Sequence, residues 1–229
     1  MSTHQDSQKK VIDVIENQIK TDSLTSSIVS PIEDFEHDPR ICLTSVHFPH
    51  EELVRSIEKS ITLPLKYIEP DQFYYPMNSF HMTIKNIRLI SNPPNFSDSD
   101  VQKVTKIFSD VIPSHKKFTV YFYRLLLFPF NLALIGTTDP EFDSIILDLD
   151  KRLKDTDIPD DKKYVNDSYF FSNMTLVRFT KPISDIFKEK VEELSRTIVF
   201  APYIIDTVTL LSGPATLTSK KIYGTWNLQ

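Results

Sequence analysis

The sequence predicts an α+β fold built as two pseudo-symmetric, duplicated β-α-β-α-β lobes that face a central groove. Three observations carry this expectation. The alternation of strand-like and helix-like periodicities from Arg40 onward runs β, α, β, α, β and then recurs. Two short segments, Phe80-His81-Met82-Thr83-Ile84-Lys85 and Ser172-Asn173-Met174-Thr175-Leu176-Val177-Arg178, read as copies of one device. Both copies occupy the same station, after a strand and a helix and before another helix. Asn173 follows His81 by 92 residues, too far for a solenoid repeat and suited to two lobes.

Residues 1 to about 38 form an N-terminal extension in which Val11, Ile12, Val14, Ile15 and Ile19 predict one short amphipathic helix; Thr21 to Ser30 is polar and lacks a core pattern. The bilobal domain spans 39–229, with lobe one about 39–129 and lobe two about 130–229, exchange of strands between the lobes being allowed. Ile41 to Val46 predicts a buried strand, and Glu51 to Ile61 a helix that buries Leu53, Val54, Ile57 and Ile61. Phe80 to Ile90 is the first motif strand. A helix from about Ser97 carries Val101, Val104, Ile107, Phe108 and Val111, and the β-branched and aromatic run Phe118 to Phe128 is a strand. In lobe two, Leu132 to Thr137 is a strand and Asp139-Pro140 starts a helix burying Phe142, Ile145, Ile146, Leu149 and Leu153. Tyr169 to Phe179 is the second motif strand, Pro182 opens another helix carrying Ile183, Ile186, Phe187, Val191 and Leu194, and Tyr203 to Leu211 and Ile222 to Leu228 close the chain as strands.

Composition narrows the function classes. With 229 residues, 40% hydrophobic and 25% charged, the chain is long enough for one large core. A net charge of -5 argues against a protein that coats long nucleic acid, because that affinity rests on Lys and Arg neutralising phosphates. That charge leaves open a nucleotide or a single RNA end held by a few local cations. Cys42 is the single cysteine, so no intrachain disulfide and no cysteine-based zinc site forms; with no membrane-length apolar run and a polar N-terminus, a cytoplasmic location is expected. Three glycines, none clustered, exclude a P-loop or dinucleotide fingerprint.

In a strand, residues two apart share a face. His81 and Thr83 then oppose Asn173 and Thr175 across the groove. Paired histidines and hydroxyls suit metal-free displacement at phosphorus: one imidazole takes the nucleophile's proton, the other protonates the departing oxygen, and the hydroxyls hold the non-bridging oxygens. Lys85 stands one strand step beyond Thr83 and is the expected phosphate cation. Strict alternation from Asn173 turns Arg178 to the other face and leaves its role less secure.

These residues resemble the two-histidine phosphoesterases, a superfamily that includes 2'-5' RNA ligase-like proteins and cyclic nucleotide phosphodiesterases. His81-Met82-Thr83-Ile84-Lys85 is similar to the first family motif, Met174-Thr175-Leu176 with Arg178 to the second, and Val208 to Gly213 to the closing strand. The resemblance covers Arg40 to the C-terminus. It implies antiparallel sheets around the groove, a phosphodiester substrate such as a 2',3'-cyclic phosphate or a 2'-5' linkage, and no metal or other cofactor. His81, Thr83, Asn173 and Thr175 would be the catalytic set, with Lys85 and Arg178 binding substrate. Asn173 departs from the pattern, which expects histidine there. An amide hydrogen-bonds a phosphate oxygen but relays no proton, so the resemblance leaves three outcomes: a slow single-histidine enzyme, an enzyme that recruits another acid, and a catalytically inactive nucleotide- or RNA-end-binding module. A further alternative is an interaction protein whose partner docks on residues 1–38.

The remaining candidates have plainer uses. Thr83 and Thr175 are also good strand residues. His47 and His50 lack a carboxylate or cysteine at ligand spacing, and Pro49 marks a turn between them. Cys42 reads as a buried small hydrophobe, Tyr74 and Tyr75 as packing residues within reach of a base, Lys220 and Lys221 as a hairpin turn, and the charges of Asp155 to Lys163 as a solvated loop.

Overall fold

A computed structural model describes residues 3–229. In chain order these form α1 (Thr3–Lys20), β1 (Ile41–His47), α2 (Glu51–Ile57), which passes through a π-turn into α3 (Leu63–Ile68), β2 (Phe73–Tyr74), β3 (Met82–Ser91) and α4 (Asp98–Val111). The chain continues through β4 (Phe118–Phe128), β5 (Asn131–Thr138), α5 (Glu141–Asp155), β6 (Ser172–Arg178), α6 (Asp185–Thr197), β7 (Tyr203–Ile205), β8 (Thr207–Gly213) and β9 (Lys221–Asn227). Among the described residues no helix is long and apolar enough to cross a membrane.

Two antiparallel sheets, in the orders β3-β1-β8-β9 and β2-β6-β5-β4-β7, make the fold α+β and bilobal. The lobes are not the two halves of the sequence. A cut at 129/130 falls inside the β4–β5 hairpin, where Phe128 pairs with Asn131. β8 and β9 cross over to complete the sheet of β1 and β3, while β2 joins β6. Hydrophobic periodicity tells which residues are buried and is silent on which strand they bury beside. What survives of the duplication is local: each motif strand pairs with the strand that precedes it in its half, β3 with β1 and β6 with β5, and β3 approaches β6 across the groove.

Most of the helix stripes bury as their spacing dictates; Val14 and Ile186 instead stay exposed. Val101, Val104, Ile107, Phe108 and Val111 of α4 enter the main core, and Ser97 caps that helix in a reciprocal box with Asp100. α6 starts three residues past the expected Pro182, after Ser184, whose side chain accepts from Phe187 N.

The N-terminal helix is 18 residues long and is built into the domain. Val11, Ile12 and Ile15 pack on Leu126, Ala133 and Ile135. Gln8, fully buried, donates from Nε2 to Thr138 Oγ1 (2.7 Å) and to the Phe170 carbonyl, and its Oε1 accepts from Thr138 N at 2.8 Å. His4 meets Asp143 at 2.6 Å, and Glu16 meets Arg124 at 2.7 Å. The buried side of the helix, Val11, Ile12 and Ile15, is thus covered by the chain's own sheet.

Candidate functional site

Each motif strand buries alternate residues: Phe80, Met82 and Ile84 on one side of His81 and Thr83, and Met174 and Leu176 on one side of Asn173 and Thr175. Both strands then carry an extra residue at the same place. β1 advances one residue, from Val46 to Ser45, while β3 advances two, from Thr83 to Lys85, leaving Ile84 unmatched. In the second copy β5 steps from Ala133 to Leu132 while β6 steps from Thr175 to Val177, leaving Leu176 unmatched. A bulge inverts the facing of all that follows it.

That inversion reverses the expectation for the two cations. Lys85 leaves the groove face and is 2% exposed, with Nζ 3.2 Å from Asp150 Oδ1 and in contact with Asp160 Oδ2. It belongs to a buried ion-pair cluster beside α5 and does not line the cavity. Arg178, which simple alternation turns away, comes back to the groove. The residue five past His81 is Asn86, just as Arg178 is five past Asn173, and both line the cavity.

This cavity, about 240 Å³ in volume, gathers His81, Thr83, Asn173, Thr175 and Arg178 from the two sheets. The side chains of Thr83, Asn173 and Thr175 have no hydrogen-bond partner among the described residues, so their polar groups are free to meet a ligand or solvent. Arg178 is 6% exposed, and no carboxylate among the described residues lies within ion-pair distance of it. Its Nε donates to Tyr75 Oη at 2.9 Å, and Tyr75 donates onward to the Ala215 carbonyl at 3.0 Å. The guanidinium carbon lies 5.6 Å from the Phe35 ring centre and 5.9 Å from that of Tyr75. Tyr75 and Phe35 thus position Arg178. The sequence showed Tyr75 only as a packing aromatic, and it placed Phe35 in an extension without a role.

His81 lies deep in the chain at the cavity wall. Its Nδ1 is 2.7 Å from the Ser79 carbonyl, which only accepts, so Nδ1 carries the proton and Nε2 presents its lone pair. Burial pushes its pKa down to about 4, and the charges of Arg178 and Lys220 push the same way against the Ser79 carbonyl. The ring is therefore a neutral base at pH 7. Cys42 also lines the cavity, but burial pushes its thiol up to about 12 and it donates to the Gly213 carbonyl, so it is no nucleophile.

The depressed His81 value makes stability depend on pH. The unfolded ring titrates near 6.5 and the folded ring at about 4, so between these values the unfolded state binds more protons. Stability falls as pH drops through this window, by on the order of 3 kcal/mol once below the folded value. Urea unfolding at pH 7 and pH 4 is expected to show a smaller acid loss for His81→Gln than for the unaltered chain.

The loop between α5 and β6 corrects another expectation. Asp160 is the partner of Lys85, and Lys162 and Lys163 line the cavity, so these charges belong to the site's wall, while Asp155, Asp157 and Asp161 are exposed as a solvated loop would have them.

No family model matches the sequence, and no curated protein matches it. Solved structures do. The chain is similar to E. coli LigT complexed with ATP at 14% identity, with 83% of this chain and 99% of LigT covered and a TM-score of 0.52. LigT complexed with 3'-AMP gives 12% identity, coverages of 84% and 99%, and a TM-score of 0.51. A conserved protein of unknown function from Agrobacterium tumefaciens, ATU0111, gives 15% identity, coverages of 90% and 96%, and a TM-score of 0.58. The chain has the fold of E. coli LigT.

Proposed function

We propose that this chain recognises the phosphodiester of a nucleotide or RNA end, a 2',3'-cyclic phosphate or a 2'-5' linkage, and cleaves it slowly without a metal, with His81 as its one acid/base group. The observation that carries this reading is Arg178, a buried cation without a carboxylate partner, in the same cavity as three unpartnered polar side chains. An unpaired buried charge is costly, so such a site favours an anion. Two hydroxyls, an amide and a guanidinium match the oxygens of a phosphodiester. The LigT structures with ATP and with 3'-AMP support a ligand of nucleotide size.

In this scheme His81 Nε2 takes the proton of the attacking water as its oxygen bonds to phosphorus. The bond from phosphorus to the leaving ribose oxygen breaks, and that oxygen draws its proton from solvent. Asn173 steadies the phosphate. The missing donor is worth roughly 10²- to 10⁴-fold in rate. Because His81 is neutral and Asn173 does not ionise, the binding module without turnover is the second reading. Assay of 2',3'-cyclic nucleotides and 2'-5'-linked dinucleotides is expected to show slow turnover abolished by His81→Ala. Binding without turnover selects the module, and the absence of both overturns the two readings together.

A further inference from the structure

Lys162 lines this cavity beside Lys163, and its setting differs from that of Arg178. Of the two acids just before it in sequence, Asp161 is turned to Leu89 N, and Asp160 is occupied by Lys85, which also meets Asp150 at 3.2 Å. Among the described residues no carboxylate lies within ion-pair distance of Lys162; its ammonium stands 5.1 Å from the centre of the Tyr164 ring, and that of Lys85 stands 5.2 Å from the same ring. Two ammonium groups thus share one aromatic ring while only one of them is neutralised.

The segment that carries Lys162 is fixed on both sides. The Pro159 carbonyl accepts from Arg88 at 2.6 Å, and Asp161 Oδ1 accepts from Leu89 N at 2.8 Å. Lys163 N donates to Ser27 Oγ at 2.9 Å, and Ser27 N donates back to the Lys163 carbonyl at 3.1 Å. A lysine on a pinned backbone that faces a cavity loses less freedom on binding than a surface lysine does. Burial also pushes its pKa down to about 8, with Lys85 acting in the same direction and Asp160 against both. The ammonium is short of an anion.

We propose that Lys162 is an anion-binding residue, distinct from the phosphodiester cradle at Arg178, and that the preferred ligand carries a second phosphate besides its phosphodiester. The two cations have separate neighbours, Phe35 and Tyr75 around Arg178 and Tyr164 around Lys162. Tyr164, Tyr169 and Phe171 line the same cavity and offer apolar surface to a base. The class of ligand this describes is a nucleoside with a cyclic phosphodiester on its ribose and a separate phosphate monoester. The inference rests on the phosphodiester reading above and refines it.

Equilibrium binding separates the two, because it needs no turnover. The probes are adenosine 2',3'-cyclic phosphate with and without a 5'-phosphate. The unaltered chain is expected to bind the 5'-phosphorylated compound about tenfold more tightly or better. Lys162→Met is expected to lose that preference while binding the unphosphorylated compound as before, and Lys162→Arg to keep most of it. Far-UV circular dichroism confirms that each variant is folded. Equal binding of both compounds by the unaltered chain, or a preference that persists in Lys162→Met, overturns this inference alone. Binding of neither overturns the phosphodiester reading with it.

Discussion

Asn173→His is expected to raise turnover of a 2',3'-cyclic nucleotide by roughly 10²- to 10⁴-fold, the range that one well-placed proton-transfer group supplies. The substitution restores the residue that the motif resemblance expects, on a strand that already holds its companions. Thr175 stands two residues on, and Arg178 five residues on, as Thr83 and Asn86 stand from His81. Asn173 pairs with Ile135 on β5, has no hydrogen-bond partner among the described residues to lose, and borders a cavity of about 240 Å³. The two imidazoles then divide the work. His81, with Nδ1 held by the Ser79 carbonyl and a pKa near 4, remains the base, and the new ring serves as the acid. The pH profile of kcat/KM is expected to gain an alkaline limb absent from the unaltered chain, because the donor must be protonated. Adding His81→Ala cancels the gain. Unchanged turnover by a folded Asn173→His chain would show that more than a proton donor is missing from the groove.

The strength of that expectation comes from what period-two alternation makes legible and what it hides. Burial of Phe80, Met82, Met174 and Leu176 follows from hydrophobicity alone, and it carries His81, Thr83, Asn173 and Thr175 to the groove wall. Alternation assumes one residue per pair, however, and Ile84 and Leu176 break that assumption directly after each threonine. The error therefore spared the first two members of each motif and inverted the third. One trace of the bulge was present in the sequence: Leu176 and Val177 are consecutive apolar residues in a strand that otherwise alternates, and both enter the main core. Other parts of the site had no local signature. Phe35 stacks on Arg178 from a segment without periodicity, and Gln8 reads as one more polar residue of a surface helix until Thr138 and Phe170 close around its amide. Their partners lie 130 residues or more away along the chain, beyond the reach of any window.

The inverted cations give the second large effect, as a pair of opposed results. Lys85→Met is expected to lower stability by roughly 3–5 kcal/mol, because it strands the Asp160 carboxylate beside an apolar side chain in a buried setting, while Asp150 keeps its partner Lys154 at 2.6 Å. For a chain of this size that corresponds to a melting temperature lower by roughly 10 °C. Affinity for 3'-AMP, measured well below the transition, is expected to be unchanged, since Lys85 does not line the cavity. Arg178→Met is expected to do the reverse. It removes a buried cation that has no carboxylate partner, so little stability is lost beyond the Tyr75 hydrogen bond, while affinity for 3'-AMP falls by roughly 10- to 100-fold with the loss of charge-assisted hydrogen bonds to the phosphate. Asp160→Asn is expected to return part of the stability lost in Lys85→Met, by removing the stranded charge. The two measurements decide which face each cation occupies. A Lys85→Met chain that kept its melting temperature and lost its ligand would mean that Lys85 follows Thr83 along the groove, and that the bulge at Ile84 does not invert the strand.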